Sequence, residues 1–202
     1  MNAPAVLFDL LTGLLDSWSL WNGIAGSDEL GFAWRRSYLE LTYGAGRYRA
    51  YDEMVADAAR EVGLPDSAAG ELVDRWDELE PWPEAHHVVG TLQHTRRIGV
   101  VTNCSELLAE RAAARVGVEF DVLVSAERAG FYKPHERAYN LALEELGFDA
   151  ARVLYVAGSP YDVSAPASVG MPVVWHDRAG LRRSLPAPPR VTVIENLSEL
   201  LF

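Results

Sequence analysis

Apolar residues are gathered into short runs with longer amphipathic stretches between them. The runs cover 5–8, 98–101, 120–124, 153–156, 172–175 and 191–194. Stretches such as Val6-Leu7-Phe8 and Val153-Leu154-Tyr155-Val156 are almost continuously apolar, which predicts strands covered on both faces. The intervening segments carry stripes at helical spacing: Val88, Val89 and Leu92; Leu107, Leu108 and Ala112; Ala138, Leu141, Ala142 and Leu146. Alternation of this kind predicts an α/β fold built on a doubly wound parallel sheet.

The stretch 17–80 breaks the alternation, because it contains no strand pattern and reads as wholly helical. Trp34, Tyr38 and Leu41 mark one face, Met54, Val55, Ala58 and Val62 a second, and Leu72, Val73, Trp76 and Leu79 a third. Gly63-Leu64-Pro65-Asp66 separates the second helix from the third, and Pro81-Trp82-Pro83 marks the return to the sheet. The expected organisation is a core of 1–16 and 81–202 with a helical cap, 17–80, inserted into it. The Pro-rich stretch 184–189 reads as a loop before the last strand.

Composition narrows the function classes. The chain has 202 residues, 49% hydrophobic and 23% charged, which suits one folded domain with an insertion and excludes disordered or collagen-like classes. A net charge of −11 and the lack of any basic patch exclude nucleic acid and anionic lipid surfaces as partners. No apolar run approaches the roughly 18 residues of a membrane span. The apolar start of the chain lacks a basic segment and carries Asp9, so export is not expected. Cys104 stands alone and no Cys/His cluster exists, so neither a disulfide nor structural zinc is expected. These features suit the cytoplasm. The many aromatic residues of the cap leave room for a homodimer interface.

In an open parallel sheet, ligands bind beyond the carboxyl ends of the strands. The polar residues found there are Asp9 after the first run, Thr102 and Asn103 after the second, Lys133 in a loop after the third, and Ser159 with Asp162 after the fourth. Each alone reads as a turn or helix cap. Together they place two carboxylates, an amine and several hydrogen-bonding groups along one sheet edge.

These residues carry a resemblance to the haloacid dehalogenase superfamily. Phe8-Asp9-Leu10-Leu11-Thr12-Gly13 resembles its first motif, Val100-Val101-Thr102-Asn103 its second, Tyr132-Lys133-Pro134 its third, and Gly158-Ser159-Pro160-Tyr161-Asp162 its fourth. The insertion after the first motif lies where this superfamily carries a type 1 cap. The resemblance implies a nucleophilic Asp9, with Thr102 and Lys133 holding its reacting partner.

Most members of the superfamily are magnesium-dependent phosphatases with a second Asp two residues after the nucleophile. Here that position is Leu11, and Gly158 stands where the fourth motif usually carries an acid. The 2-haloacid dehalogenase branch also lacks that second Asp and works without metal or other cofactor, and this chain is most similar to it. That likeness implies attack by Asp9 on C2 of a small anionic 2-substituted carboxylate, displacing halide or a similar leaving group and giving an ester that water hydrolyses to a 2-hydroxy acid.

The cap segment Trp34-Arg35-Arg36-Ser37-Tyr38-Leu39-Glu40 continues the resemblance, as do Gly46-Arg47-Tyr48 and Tyr51. It implies that Arg35 and Asn103 take the leaving halide, that Lys133 keeps Asp9 ionised, and that Asp162 orients Lys133 and helps activate water. Leu10, Leu11, Leu39, Tyr51 and Ser159 then belong to the substrate pocket.

Read without the resemblance, Arg35 on an exposed helix is more often a solvated charge, and Leu39 and Tyr51 read as packing within the cap. Tyr161 and Trp175 read as core or pocket wall, Cys104 as a packing residue and Asp16 as a helix cap; His86 and His87 take no role. A degraded phosphatase and a non-catalytic protein on the same fold stay open. The chain departs from the dehalogenase pattern at Leu11, at Thr12-Gly13, at Ala157 where a serine is typical, and at Ser159 where an asparagine is typical. The last two changes are expected to remove hydrogen-bond donors near Lys133.

Overall fold

In the computed structural model, which describes residues 3–181 and 191–201, the first apolar run forms β1 (Ala5–Asp9). A two-residue strand, β2 (Leu15–Asp16), leads into four helices: α1 (Ser17–Ala25), α2 (Asp28–Ala45), α3 (Tyr51–Glu61) and α4 (Ala68–Asp74). The chain returns through β3 (Glu80–Pro81) and α5 (Ala85–Gln93) to β4 (Arg97–Thr102). Then come α6 (Glu106–Val116), β5 (Val122–Ser125), α7 (Ala126–Ala129), α8 (Glu136–Leu146), β6 (Val153–Ala157), α9 (Ser164–Val169), β7 (Val173–His176) and β8 (Thr192–Ile194).

Six strands form one parallel sheet in the order β5-β4-β1-β6-β7-β8. This is the doubly wound α/β architecture that the alternation predicts. β1 is central, with Phe8 paired to Val100 on one side and Val156 on the other. The order reverses around β1, so a crevice opens beyond Asp9, the last residue of that strand. Residues 5–8 and all of β6 are buried, as covered faces require. The predicted loop 184–189 lies outside the described residues.

Several expectations are corrected. In α6, Leu107 points to solvent and the buried stripe is Leu108, Ala109, Ala112, Ala113 and Val116, one step around the helix. Leu41 and Leu141 are only partly buried, while Leu39 and Leu143 are buried. The inserted segment has two helices before Ala45 where one face was expected. Asp16 starts the first of them by accepting the Ser19 N–H, and Gly26, left-handed at φ 81°, ends it. The third expected stripe is split: α4 stops at Asp74 and a 3-10 turn, Trp76–Glu78, follows. Nor is the segment helical to its end, because Glu80 pairs with Asp16 and Pro81 with Leu15 in a short antiparallel ladder. That ladder joins the two chain crossings between the sheet and the helices.

Aromatic rings fill the interior of the helical layer. Trp21 packs on Trp34 at 4.4 Å between centroids and on Tyr38 at 5.3 Å, and Tyr51 meets Tyr38 at 5.5 Å and Trp76 at 5.6 Å. These rings lie inside the chain rather than on its surface. Trp76 is fully buried and its Nε1–H donates to Leu108 O at 2.8 Å, which fastens the end of the helical layer to α6. Among the described residues, no helix is long and apolar enough to cross a membrane. Replacement Trp76→Ala is expected to lower stability by about 3–5 kcal/mol through cavity formation and the lost hydrogen bond, read as a lower urea midpoint. A loss below about 1 kcal/mol would show that this anchor is dispensable.

Candidate active site

The site begins with a tight turn after β1. Thr12 N–H and Gly13 N–H both donate to Asp9 Oδ2 at 3.1 Å. The turn demands glycine twice. A Cβ on Gly13 would overlap Asp9 O, and one on Gly158, at the end of β6, would overlap Asp9 Oδ2 and Gly13 N. Two groups hold the turn from behind. Trp82 Nε1–H donates to Thr12 O at 2.9 Å, and His176 Nδ1 lies 2.9 Å from Gly13 O. Because a carbonyl only accepts, His176 carries its proton on Nδ1. Burial keeps its pKa below the ordinary histidine value despite the Gly13 carbonyl and Glu84 nearby.

Lys133 reaches into the same place from the loop before α8. Its Nζ donates to Asp9 Oδ1 at 2.8 Å, to Asp162 Oδ2 at 2.6 Å and to Val101 O at 3.1 Å, and lies 3.2 Å from Tyr155 Oη. The Lys133 side chain is 3% exposed, that of Asp162 1% and that of Asp9 14%. Asn103 fixes the lysine's backbone by accepting from Lys133 N–H at 2.7 Å and donating to Lys133 O at 3.1 Å. One N–H of that amide is left for another partner.

The electrostatics follow from this packing. Burial opposes the charge on Asp9, but the Lys133 ammonium and two backbone N–H groups outweigh it and hold the carboxyl below its usual range. Lys133 is raised, since Asp162 and Asp9 together overcome the cost of burying an ammonium. Asp162 is raised by burial and by the charge of Asp9, with Lys133 and Tyr139 opposing. Tyr139 Oη donates to Asp162 Oδ1 at 2.6 Å and Tyr155 Oη to Asp162 Oδ2 at 2.5 Å.

Those two hydroxyls correct an expectation. The donors lost at Ala157 and Ser159 do not leave Lys133 and Asp162 short of partners, because Tyr155 and Tyr139 supply them. Tyr155 was hidden in the sequence as an ordinary strand residue. A tyrosine inside an otherwise aliphatic buried strand was the available signal, since its hydroxyl needs a partner.

From the helical layer, Arg35 arrives fully buried. Its Nη2 donates to Thr12 Oγ1 at 2.8 Å, and its guanidinium lies over Trp18 at 4.6 Å and near Trp21 at 5.4 Å. It is therefore no solvated charge. Tyr43, also on α2 and unmarked in the sequence, is partly buried and lies near Asp162, Asp9 and Ser159. Its ring meets Tyr161 at 5.6 Å. Tyr38 Oη donates to Asn103 O, a second tie between the layers.

The remaining candidates are less closely joined. Thr102 is buried, but its hydroxyl faces Cys104 Sγ at 3.7 Å. Leu10 and Leu11 continue from Asp9 and are buried, Leu39 is buried on α2, and Tyr51 packs between Tyr38 and Trp76. Trp175 is core, and His86 Nδ1 lies against Val116 O, away from the site. Burial pushes the Cys104 thiol up to about 12, so it is an inert packing group.

The described residues do not fit a magnesium site. Among them no group of three His, Cys, Asp or Glu side chains is disposed to hold a metal. The one acid facing Asp9 is Asp162, and Lys133, Tyr139 and Tyr155 occupy its oxygens.

Comparison with known proteins agrees with this arrangement. The family model for haloacid dehalogenase-like hydrolases matches residues 6–170, and the chain belongs to that family. It is similar to an (S)-2-haloacid dehalogenase of Pseudomonas putida, 29% identical over 98% of this chain and 95% of the relative. It is also similar to haloacetate dehalogenase H-2 of a Moraxella species, 28% identical over 87% of this chain and 86% of the relative. Among solved structures, an L-2-haloacid dehalogenase from Xanthobacter autotrophicus with covalently bound chloropropionic acid superposes with a TM-score of 0.82 at 22% identity, covering 98% and 96% of the two chains. A dehalogenase solved with an intermediate complex gives 0.84 at 24% identity, covering 98% and 96%. These superpositions show a shared fold.

Removing the Tyr155 hydroxyl takes a donor from charged Asp162 and should raise its pKa further. In Tyr155→Phe the acid limb of the hydrolase activity is expected to move up by about one pH unit, the scale of one hydrogen bond to a charge. A pH–rate profile superimposable on that of the parent would show that Tyr155 only packs.

Proposed function

We propose that the chain is a 2-haloacid dehalogenase that uses Asp9 as a carbon-directed nucleophile and needs no metal ion. The observation that carries this reading is Lys133 Nζ, held between Asp9 Oδ1 and Asp162 Oδ2 at 2.8 and 2.6 Å. A fixed ammonium there keeps Asp9 ionised while leaving it a poor cation ligand. The names of the relatives supply the substrate class, a small carboxylate bearing halogen at C2.

The two oxygens of Asp9 have different tasks. Oδ2 accepts two backbone hydrogen bonds, which use both of its lone-pair directions, whereas Oδ1 accepts only the one from Lys133. Oδ1 is thus the attacking atom. A new Oδ1–C2 bond forms as the C2–halogen bond breaks, and the halide leaves with the bonding electron pair. No proton is required, since halide is a weak base, so Leu11 in place of a second acid costs nothing in this step. Arg35 is the cation that meets the departing halide, and the spare N–H of Asn103 is assigned to the same halide.

Hydrolysis follows at Cγ of Asp9. Water adds there, negative charge develops on Oδ2, and the Thr12 and Gly13 N–H groups already point at that atom, as an oxyanion hole does. The Cγ–Oδ1 bond then breaks as Oδ1 takes the remaining proton of the added water, and the 2-hydroxy acid leaves with Oδ1. Asp162, with its raised pKa, takes the proton from water and remains tied to Lys133. C2 reacts only once, so its configuration inverts. Arg35, Leu39 and Tyr51 of the helical layer, with Ser159 beyond β6 and Leu10 and Leu11 after β1, are assigned to the substrate pocket.

Incubation with (S)-2-chloropropionate in EDTA is expected to release chloride and (R)-lactate, and Asp9→Asn is expected to lower the rate by at least about a thousandfold. Phosphate release from small esters that depends on magnesium, with no chloride release, would overturn this reading in favour of a phosphatase.

A further inference from the structure

The Thr12 carbonyl and the Gly13 N–H are two ends of one peptide group. That single amide therefore links Trp82 Nε1–H, 2.9 Å from Thr12 O, to Asp9 Oδ2, 3.1 Å from Gly13 N. The next peptide is held as well, since His176 Nδ1–H donates to Gly13 O at 2.9 Å. Trp82 stands one residue past β3, where the chain re-enters from the helical layer, and its own backbone N–H donates to Leu14 O at 2.9 Å. The turn is thus gripped at three successive carbonyls, Thr12, Gly13 and, through Trp82 again, Leu14.

Packing alone does not account for these donors. His176 is fully buried, and its Nε2 has no hydrogen-bond partner among the described residues, lying 3.9 Å from Glu84 Oε1. An aliphatic side chain would fill that space without burying an unsatisfied nitrogen, so what an imidazole brings there is its bond to Gly13 O. Gly13 has no means of pinning itself. A Cβ at that position would overlap Asp9 O, so the residue has to be glycine and its restraint has to come from behind.

We propose that Trp82 and His176 are positioning residues for the second half of the reaction, which prepare the donors on Asp9 Oδ2 for ester hydrolysis and leave displacement of halide unaided. This rests on the dehalogenase reading and assigns a step-specific pair of residues to it. A peptide that accepts a hydrogen bond at its carbonyl donates more strongly from its N–H. When water adds to Cγ, negative charge grows on Oδ2 and the strengthened Gly13 N–H stabilises it. When Oδ1 attacks C2, charge leaves the carboxylate and the same bond gives no help. Both side chains keep their protons throughout.

The test is Trp82→Phe, which keeps a ring and removes the donor. The ratio of esterified to unmodified enzyme during turnover of 2-chloropropionate, read by mass spectrometry of acid-quenched protein, should rise about threefold, a fraction of the worth of one oxyanion donor. The value of kcat/KM, which ends at irreversible halide release, should hold or rise. His176→Leu should raise the ester ratio too, and His176→Asn, whose side-chain N–H replaces Nδ1–H, should restore it. An unchanged ester ratio in Trp82→Phe, a kcat/KM that falls in step with kcat, or His176→Asn behaving as His176→Leu would each reduce the pair to packing and overturn the proposal. A readout independent of turnover is the Gly13 amide proton resonance, which should move upfield in Trp82→Phe as its bond to Asp9 weakens. If the parent releases no halide from any 2-halo acid, the dehalogenase reading falls; the Gly13 resonance then decides the peptide relay alone, which an upfield move sustains and a fixed position overturns.

Discussion

One buried ammonium governs the site. Lys133 sits between two carboxylates in a place nearly closed to water, and each of the three charges would be costly there alone. Buried ion pairs add little net stability, so their presence at a strand end points to chemistry rather than to holding the fold. The three charges sum to −1. That excess resides on Asp9, where two backbone N–H groups receive it. The surrounding structure protects this balance: Asn103 pins the lysine backbone, Tyr139 and Tyr155 each donate to Asp162, and Gly13 and Gly158 leave room for the Asp9 oxygens.

The helical layer supplies the opposite charge. Arg35 brings +1 into a wall of aromatic rings, joined to the nucleophile turn through Thr12 and to the two tryptophans through their faces. Cation–π contact lowers the cost of burying the guanidinium without neutralising it. Tyr38 ties the helical layer to Asn103, so the layer that carries Arg35 is fastened to the end of β4, the neighbour of the strand that carries Asp9.

Much of the sheet was legible because its strands are buried on both faces and therefore uniformly apolar. Asp9, Lys133 and Asp162 could be placed on one edge because parallel topology sends every strand's carboxyl end the same way. What stayed hidden depends on contacts distant in sequence. Tyr155 looks like strand filler until Asp162 lies against it. Tyr43 looks like helix surface until its ring meets Tyr161 beyond β6. Arg35, read alone, resembles a solvated charge, and only the fold brings Trp18 and Trp21 around it. The missing serine at Ala157 suggested a weakened site, because a substitution at one motif position says nothing of a hydroxyl arriving from two residues earlier on the same strand. Helix boundaries in the inserted segment were blurred for a simpler reason: apolar residues at Trp76 and Leu79 keep helical spacing with α4 although a 3-10 turn carries the first of them.

The central claim is that Oδ1 of Asp9 becomes the new hydroxyl oxygen of the product. A single turnover with enzyme in excess over 2-chloropropionate, run in water enriched in oxygen-18, tests it directly by mass spectrometry of the product and of the peptide containing Asp9. The mechanism predicts ordinary oxygen in the first-turnover hydroxy acid and one heavy oxygen in the Asp9 carboxylate. Heavy oxygen in the product with an unlabelled Asp9 would mean that water strikes C2 itself, and would contradict it.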